Sequence, residues 1–147
     1  MTKSSPCVVD ASVGVKLFVK EELKDVAESL FVIAAAIPEA RRYVPDLFFA
    51  ECANVLWKYV YRCGYSEEEA RRNLSGLFAL DLARISTPTL VPEALKIATA
   101  HSISVYDACY VATADLVGAF LITADQRLVK RLAKSNYQVC YLGDLRD

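Results

Sequence analysis

Two short apolar runs constrain this chain most. Cys7–Val9 and Phe120–Ile122 contain no polar side chain, and each is followed at once by a polar residue, Asp10 and Thr123. A strand with one wet face alternates apolar and polar residues, whereas a strand covered on both faces is apolar throughout. Between these runs lie stretches of helical composition, as a crossover between parallel strands requires. The pattern predicts an α/β chain: a parallel sheet with helices on both faces, three layers in the order α/β/α.

The expected elements follow from local signals. The strand at Cys7–Val9 ends at Asp10, and helical composition covers Ala11–Lys20 and Leu23–Ala36. A short strand at Arg42–Val44 is stopped by Pro45. A long helix over Leu47–Cys63 is closed by Gly64, and the capping box from Ser66 to Glu69 opens a helix to about Leu80. A short strand is expected at Ile85–Thr87, then a helix opening at Thr89 with Pro92 in its first turn. Ser104 begins a helix over Tyr106–Val117, closed by Gly118. Phe120–Thr123 reads as a strand, Gln126–Lys134 as a helix and Gln138–Tyr141 as a last strand. No linker, repeat or low-complexity stretch interrupts the series, so residues 1–147 read as a single domain.

Composition narrows the function classes. The N-terminal apolar stretch is broken by Asp10 too early for a signal peptide, and the run Leu30–Ile37 is far short of a membrane span. A cytoplasmic protein with no membrane partner is expected. The cysteines, Cys7, Cys52, Cys63, Cys109 and Cys140, are odd in number and widely spaced, and they read as small buried hydrophobes. With His101 as the single histidine and no paired thiols, zinc sites and histidine triads are disfavoured. The net charge of −1 does not advertise nucleic-acid binding, although basic residues cluster locally at Arg41–Arg42, Arg71–Arg72 and Lys130–Arg131.

Four carboxylates interrupt apolar surroundings. Asp10 ends the first strand and Asp125 follows the strand Phe120–Thr123. Ligand sites of parallel sheets lie beyond the carboxyl ends of strands, so neighbouring strands would bring both to one edge. Glu51 lies in the almost wholly apolar stretch Phe48–Trp57, where Asn54, three residues on, is the other polar side chain. A buried, unpaired carboxylate costs several kcal/mol or takes up a proton. Asp107 opens a helix of small apolar residues. Each has an alternative reading: Asp107 and Asp125 as helix caps, Asp10 as a turn residue, Glu51 as the partner of a buried arginine.

Two ionised carboxylates about 4 Å apart repel by roughly 4 kcal/mol at an effective dielectric of 20. Four in one place therefore call for cations. Hard, oxygen-seeking Mg²⁺ or Mn²⁺ suits them, and such ions activate water and neutralise charge on a phosphodiester. The chemistry this points to is metal-dependent hydrolysis of a phosphodiester.

The segments CVVDAS, FFAECANVLWK, SVYDACYVATA and LITADQRL, in this order, resemble the PIN-domain ribonucleases, above all the VapC-type toxins of prokaryotic toxin–antitoxin pairs. The resemblance spans nearly the whole chain. It implies a PIN-like parallel sheet in strand order 3-2-1-4-5, with the Asp10 and Asp125 strands adjacent. It implies an endoribonuclease that uses Mg²⁺ or Mn²⁺ at Asp10, Glu51, Asp107 and Asp125, with Asp10 and Asp107 the firmest ligands. The expected products carry a 5′-phosphate and a 3′-hydroxyl. Ser12 and Thr123 match small hydroxyl positions lining the family's pocket, and Asn54 matches a position expected to orient Glu51. Lys16 matches a lysine seen after the first strand, and Asp115, eight residues after Asp107, is a further acidic candidate. The expected partners are RNA, a cognate antitoxin and a second copy of the chain in a homodimer. Tyr59, Tyr61, Tyr65 and the helix after Ser66 are candidates for the antitoxin groove. Arg127, Lys130 and Arg131 are candidates for steering the RNA backbone.

Two rival classes remain on the sequence. A receiver-like signalling domain also places aspartates at strand ends, but it requires an adjacent acidic pair after the first strand, absent at Val8–Asp10. A non-catalytic PIN-fold binding module would not need the full set of carboxylates.

Overall fold

In the computed structural model, residues 1–146 are described. The chain forms β1 (Cys7–Val9), α1 (Ala11–Gly14), α2 (Lys24–Ala36), β2 (Arg42–Pro45), α3 (Leu47–Cys63) and α4 (Glu67–Ala79). There follow β3 (Leu82–Ile85), α5 (Thr87–His101), α6 (Val105–Val117), β4 (Phe120–Thr123), α7 (Gln126–Leu132) and β5 (Val139–Tyr141). The strands form one sheet in the order β3-β2-β1-β4-β5, all pairs parallel. This is the strand order expected of a PIN-like α/β/α fold, and the apolar runs at its centre explain it. Val8, Val9, Leu121 and Ile122 are wholly buried, as strands covered on both faces must be.

Register decides what stands at the sheet edge. Cys7 pairs with Phe120, Val8 with Leu121 and Val9 with Ile122. The next residues, Asp10 and Thr123, therefore emerge side by side, and the Asp10 N–H donates to the Ile122 carbonyl at 3.0 Å. Helix α6 packs across β1, β2 and β4, with α5 laid against it, while α7 covers β4 and β5. One core joins the sheet to these helices, and a smaller cluster of Val19, Leu56 and Ala70 lies beneath α4. Among the described residues no helix is long and apolar enough to cross a membrane.

A buried cation fixes the N-terminal segment. Arg42 is 1% exposed. Its guanidinium donates to the carbonyls of Leu30, Ser5 and Lys3, tying α2 and the first residues to β2. Each of the three nitrogens donates to at least one acceptor, which is what lets a charge sit in the interior.

Several local expectations need correction. The expected helix Ala11–Lys20 is a single turn, α1, followed by a 3₁₀ turn at Val15–Leu17. Here α1 passes close to α3: a Cβ on Gly14 would lie 2.5 Å from Phe48 Cζ. The third strand is Leu82–Ile85 rather than Ile85–Thr87, and α5 begins at Thr87, not Thr89. Pro88 takes the early position that tolerates proline, which leaves Pro92 inside the helix. Of the cysteines, Cys7, Cys52 and Cys109 are buried as expected, but Cys63 is exposed and Cys140 only half-buried.

Candidate active site

Asp10 sits at the carboxyl end of β1 with 6% of its surface exposed. Its Oδ2 accepts hydrogen bonds from Thr123 Oγ1 at 2.6 Å and Ser12 Oγ at 2.8 Å. The two hydroxyls also brace the next strand: Ser12 Oγ accepts from the Ala124 N–H and Thr123 Oγ1 from the Asp125 N–H, each at 3.0 Å. Thus β1, the first turn of α1 and the β4–α7 turn are laced together through one carboxylate. Burial raises the Asp10 carboxyl above the usual carboxylate range, against the lowering effect of Thr123 and Ser12.

Asp125 does cap α7. Its Oδ1 accepts from the N–H groups of Arg127 and Leu128, and the residue is exposed to solvent at the sheet edge. Asp107 lies in the first turn of α6, where the Ser104 hydroxyl accepts from the Asp107 N–H at 3.0 Å. The carboxyl of Asp107 is half-buried and raised, first by burial, then by the charge of Asp10 and, more weakly, of Asp125. The cap expected at Asp125 is therefore real, whereas on α6 the cap is the Ser104 hydroxyl, which leaves the Asp107 carboxylate to the cluster.

Glu51 comes from the second turn of α3. Its carboxyl is pushed up to about 7, first by burial, with the charges of Asp10 and Asp107 adding to it and Tyr110 opposing it. Among the described residues no buried arginine pairs with it; Arg42 spends its donors on backbone carbonyls. Glu51 Oε1 is buried without a hydrogen-bond partner, and so is the hydroxyl of Tyr110 on α6. Tyr110 lies near enough to perturb Glu51, yet the two atoms do not meet the geometry of a made hydrogen bond.

Asp10, Glu51 and Asp107 thus lie within electrostatic range of one another at one sheet edge, and Asp125 lies within range of Asp107. Among the described residues no lysine or arginine forms an ion pair with any of the four. All four offer hard oxygen donors, and Glu51 carries an unused buried one, a donor set suited to Mg²⁺ or Mn²⁺. The cluster is nevertheless open: no group of three or more histidine, cysteine or carboxylate side chains among the described residues is arranged to hold an ion.

Three other candidates stand elsewhere. Asn54 is exposed, and no hydrogen bond joins it to Glu51 among the described residues, so it does not orient that carboxylate here. Lys16 is buried and its Nζ donates to Glu21 at 3.0 Å, with the Tyr59 hydroxyl bonded to the same carboxylate. Asp115 lines a groove of roughly 200 Å³ with Gly118, Asn136 and Tyr137, residues that precede β4 and β5. It therefore lies at the opposite end of the sheet from Asp10. The residue that sequence reasoning missed is Tyr110. It is three positions after Asp107 and so shares its helical face, the one spacing signal that pointed to it.

The family model described as PIN domain matches residues 7–135. The chain belongs to the PIN-domain family. Among curated relatives, the Ribonuclease VapC3 of Pyrobaculum aerophilum is 36% identical over 127 residues, covering 84% of this chain and 92% of that protein. The Ribonuclease VapC1 of Mycobacterium tuberculosis is 32% identical over 123 residues, covering 83% of this chain and 87% of its own length. Among solved structures, the crystal structure of PAE2754 from Pyrobaculum aerophilum superposes with a TM-score of 0.69 at 26% identity, covering 98% of this chain and 88% of that one. A toxin–antitoxin complex from Klebsiella pneumoniae contains a chain with a TM-score of 0.64 at 18% identity, covering 92% of this PIN domain and 97% of that chain, a likeness of fold.

Proposed function

We propose that this PIN domain is a single-domain, metal-dependent endoribonuclease, the toxin of a VapBC-type pair, acting in the cytoplasm where its substrate is found. The observation that carries the reading is the proximity of Asp10, Glu51 and Asp107, with Asp125 near Asp107, at one sheet edge and with no cation among the described residues paired to them. The curated ribonuclease relatives support the reaction class. Asp10 and Asp107 would be the firmest holders of Mg²⁺ or Mn²⁺, with Glu51 and Asp125 acting directly or through water. A divalent ion held there supplies charge neutralisation on the phosphodiester and makes water more acidic.

The rest of the chemistry belongs to the chain. Thr123 and Ser12 donate to the same oxygen of Asp10, so its second oxygen is oriented before anything binds. The exposed side chains of Arg127 and Lys130 follow Asp125 on α7, where they draw an RNA backbone toward the acidic edge. Arg131 is partly committed, donating to the Ser102 carbonyl at 3.2 Å.

Two partners follow. Between α3 and α4 runs an apolar groove of roughly 310 Å³, lined by Ala53, Leu56, Trp57, Val60, Ala70 and Leu74, with Glu67 and Arg71 at its rim. Its chemistry suits an amphipathic segment of an antitoxin. Of the three tyrosines expected nearby, Tyr61 is exposed and stacked on Trp57, while Tyr59 and Tyr65 bond to Glu21 and the Phe18 carbonyl. Helices α5 and α6 expose Val91, Leu95 and Leu116, apolar surface that supports pairing with a second copy.

The test is cleavage of single-stranded RNA with Mn²⁺ by wild type, Asp10→Asn and Asp107→Asn. Wild type should cleave, and each variant should lose at least about a hundredfold, the scale of one lost charge-stabilising group. Equal cleavage by all three would remove the site assignment. Failure of the wild type to cleave any RNA, once freed of antitoxin, would favour a binding module.

A further inference from the structure

Helix α6 is buried between the sheet and α5 through small side chains: Ala108, Cys109, Val111, Ala112 and Ala114. Tyr110 breaks that pattern. It is wholly buried, and its hydroxyl finds no partner. A hydroxyl left so in the interior costs about 1–3 kcal/mol, and phenylalanine would fill the same space without that cost. The hydroxyl's neighbour is Glu51, whose buried Oε1 has the complementary deficiency. Tyr110 has one proton to donate, and Glu51 Oε1 has lone pairs to accept it. A divalent ion could satisfy Glu51, but it cannot accept the proton of Tyr110. Pairing the two side chains satisfies both.

We propose that Tyr110 is a positioning residue of the acidic site: its hydroxyl donates to Glu51 Oε1 and so turns Oε2 toward Asp10 and Asp107. The inference rests on the reading of that site given above. Acidic ligands are commonly oriented by such a partner, and its loss lowers metal affinity by about 10–100-fold. Tyr110 is well placed for this task. It comes from the helix that carries Asp107, so one rigid element would set one carboxylate and aim another.

The experiment combines a spectroscopic and a binding readout on the full chain. The Cζ resonance of Tyr110, assigned by its loss in Tyr110→Phe, should shift in Glu51→Gln, because the ring's hydrogen-bond acceptor changes. An unmoved resonance overturns the pairing, whether or not the protein binds metal. Calorimetric titration with Mn²⁺ alone should show about tenfold weaker binding in Tyr110→Phe than in wild type. In the Glu51→Gln background, adding Tyr110→Phe should change Mn²⁺ affinity no further. Wild-type affinity in Tyr110→Phe, together with a raised melting temperature, would identify the hydroxyl as a mere buried orphan and overturn the proposal. Absence of Mn²⁺ binding by the wild type would instead remove the metal reading, and the Cζ resonance would still decide the pairing.

Discussion

Glu51→Gln should stabilise the metal-free protein at pH 8 and leave its stability nearly unchanged at pH 4.5. Burial, with the charges of Asp10 and Asp107 behind it, moves the Glu51 carboxyl from its ordinary 4.5 to about 7. Below pH 4.5 the folded and unfolded chains both hold the proton, so the charge costs nothing. Between 4.5 and 7 the unfolded chain releases it while the folded chain keeps it, and stability falls as pH rises. Above 7 the folded chain carries the full cost of a half-buried anion beside two others. The displacement corresponds to roughly 3 kcal/mol. The carboxyl keeps some contact with water, which reduces the figure to about 2 kcal/mol. Glutamine has a similar shape and no charge, so it removes the penalty. For a domain of this length, about 2 kcal/mol appears as roughly 4–8 °C in melting temperature. Thermal unfolding followed by circular dichroism in EDTA at pH 4.5, 6 and 8 measures the gap between variant and wild type. It should grow from near zero to its full value across that range. A gap of constant size at all three pH values would refute the argument, because it would trace the effect to packing rather than to charge.

Thr123→Val keeps the shape of a fully buried side chain while removing both the donor to Asp10 and the acceptor for the Asp125 N–H. It should cost about 1–3 kcal/mol in urea denaturation and lower the rate of RNA cleavage, and an unchanged denaturation midpoint would show that Ser12 alone suffices. Gly14→Ala should cost about 1–3 kcal/mol by overpacking, because its Cβ would fall 2.5 and 2.7 Å from ring atoms of Phe48. Shortening the partner in Gly14→Ala/Phe48→Leu should restore part of that loss, measured in the same denaturation series.

What the sequence revealed and what it concealed divide along a physical line. The strand ends at Asp10 and Thr123 were legible because burial of a parallel strand ends where polarity changes, and that change is written locally. The caps at Ser104 and Asp125 were legible for the same reason: each is satisfied within three residues. Proline was legible only as a breaker. Pro92 was read into a first turn, and the structure gives that place to Pro88, because Leu82–Ile85 pairs with β2 and α5 begins at Thr87. Spacing on a helix gives a face but neither depth nor distance along the axis. Asn54 shares a face with Glu51 and yet is exposed, and Asp115 lies eight residues, about 12 Å, along α6 from Asp107. Lys16 was legible only as a match to a family position, and its ion pair with Glu21 came with the fold. Tyr110 is the limiting case. In sequence it is one more large residue in an apolar helix. The lack of a partner for its hydroxyl exists only once the fold has buried that hydroxyl and brought Glu51 of α3 near it. Residues whose needs are met by their neighbours in the chain can be read from the chain. Those whose needs are met, or left unmet, across elements emerge only from the packed structure, and an enzyme's positioning groups belong mostly to the second kind.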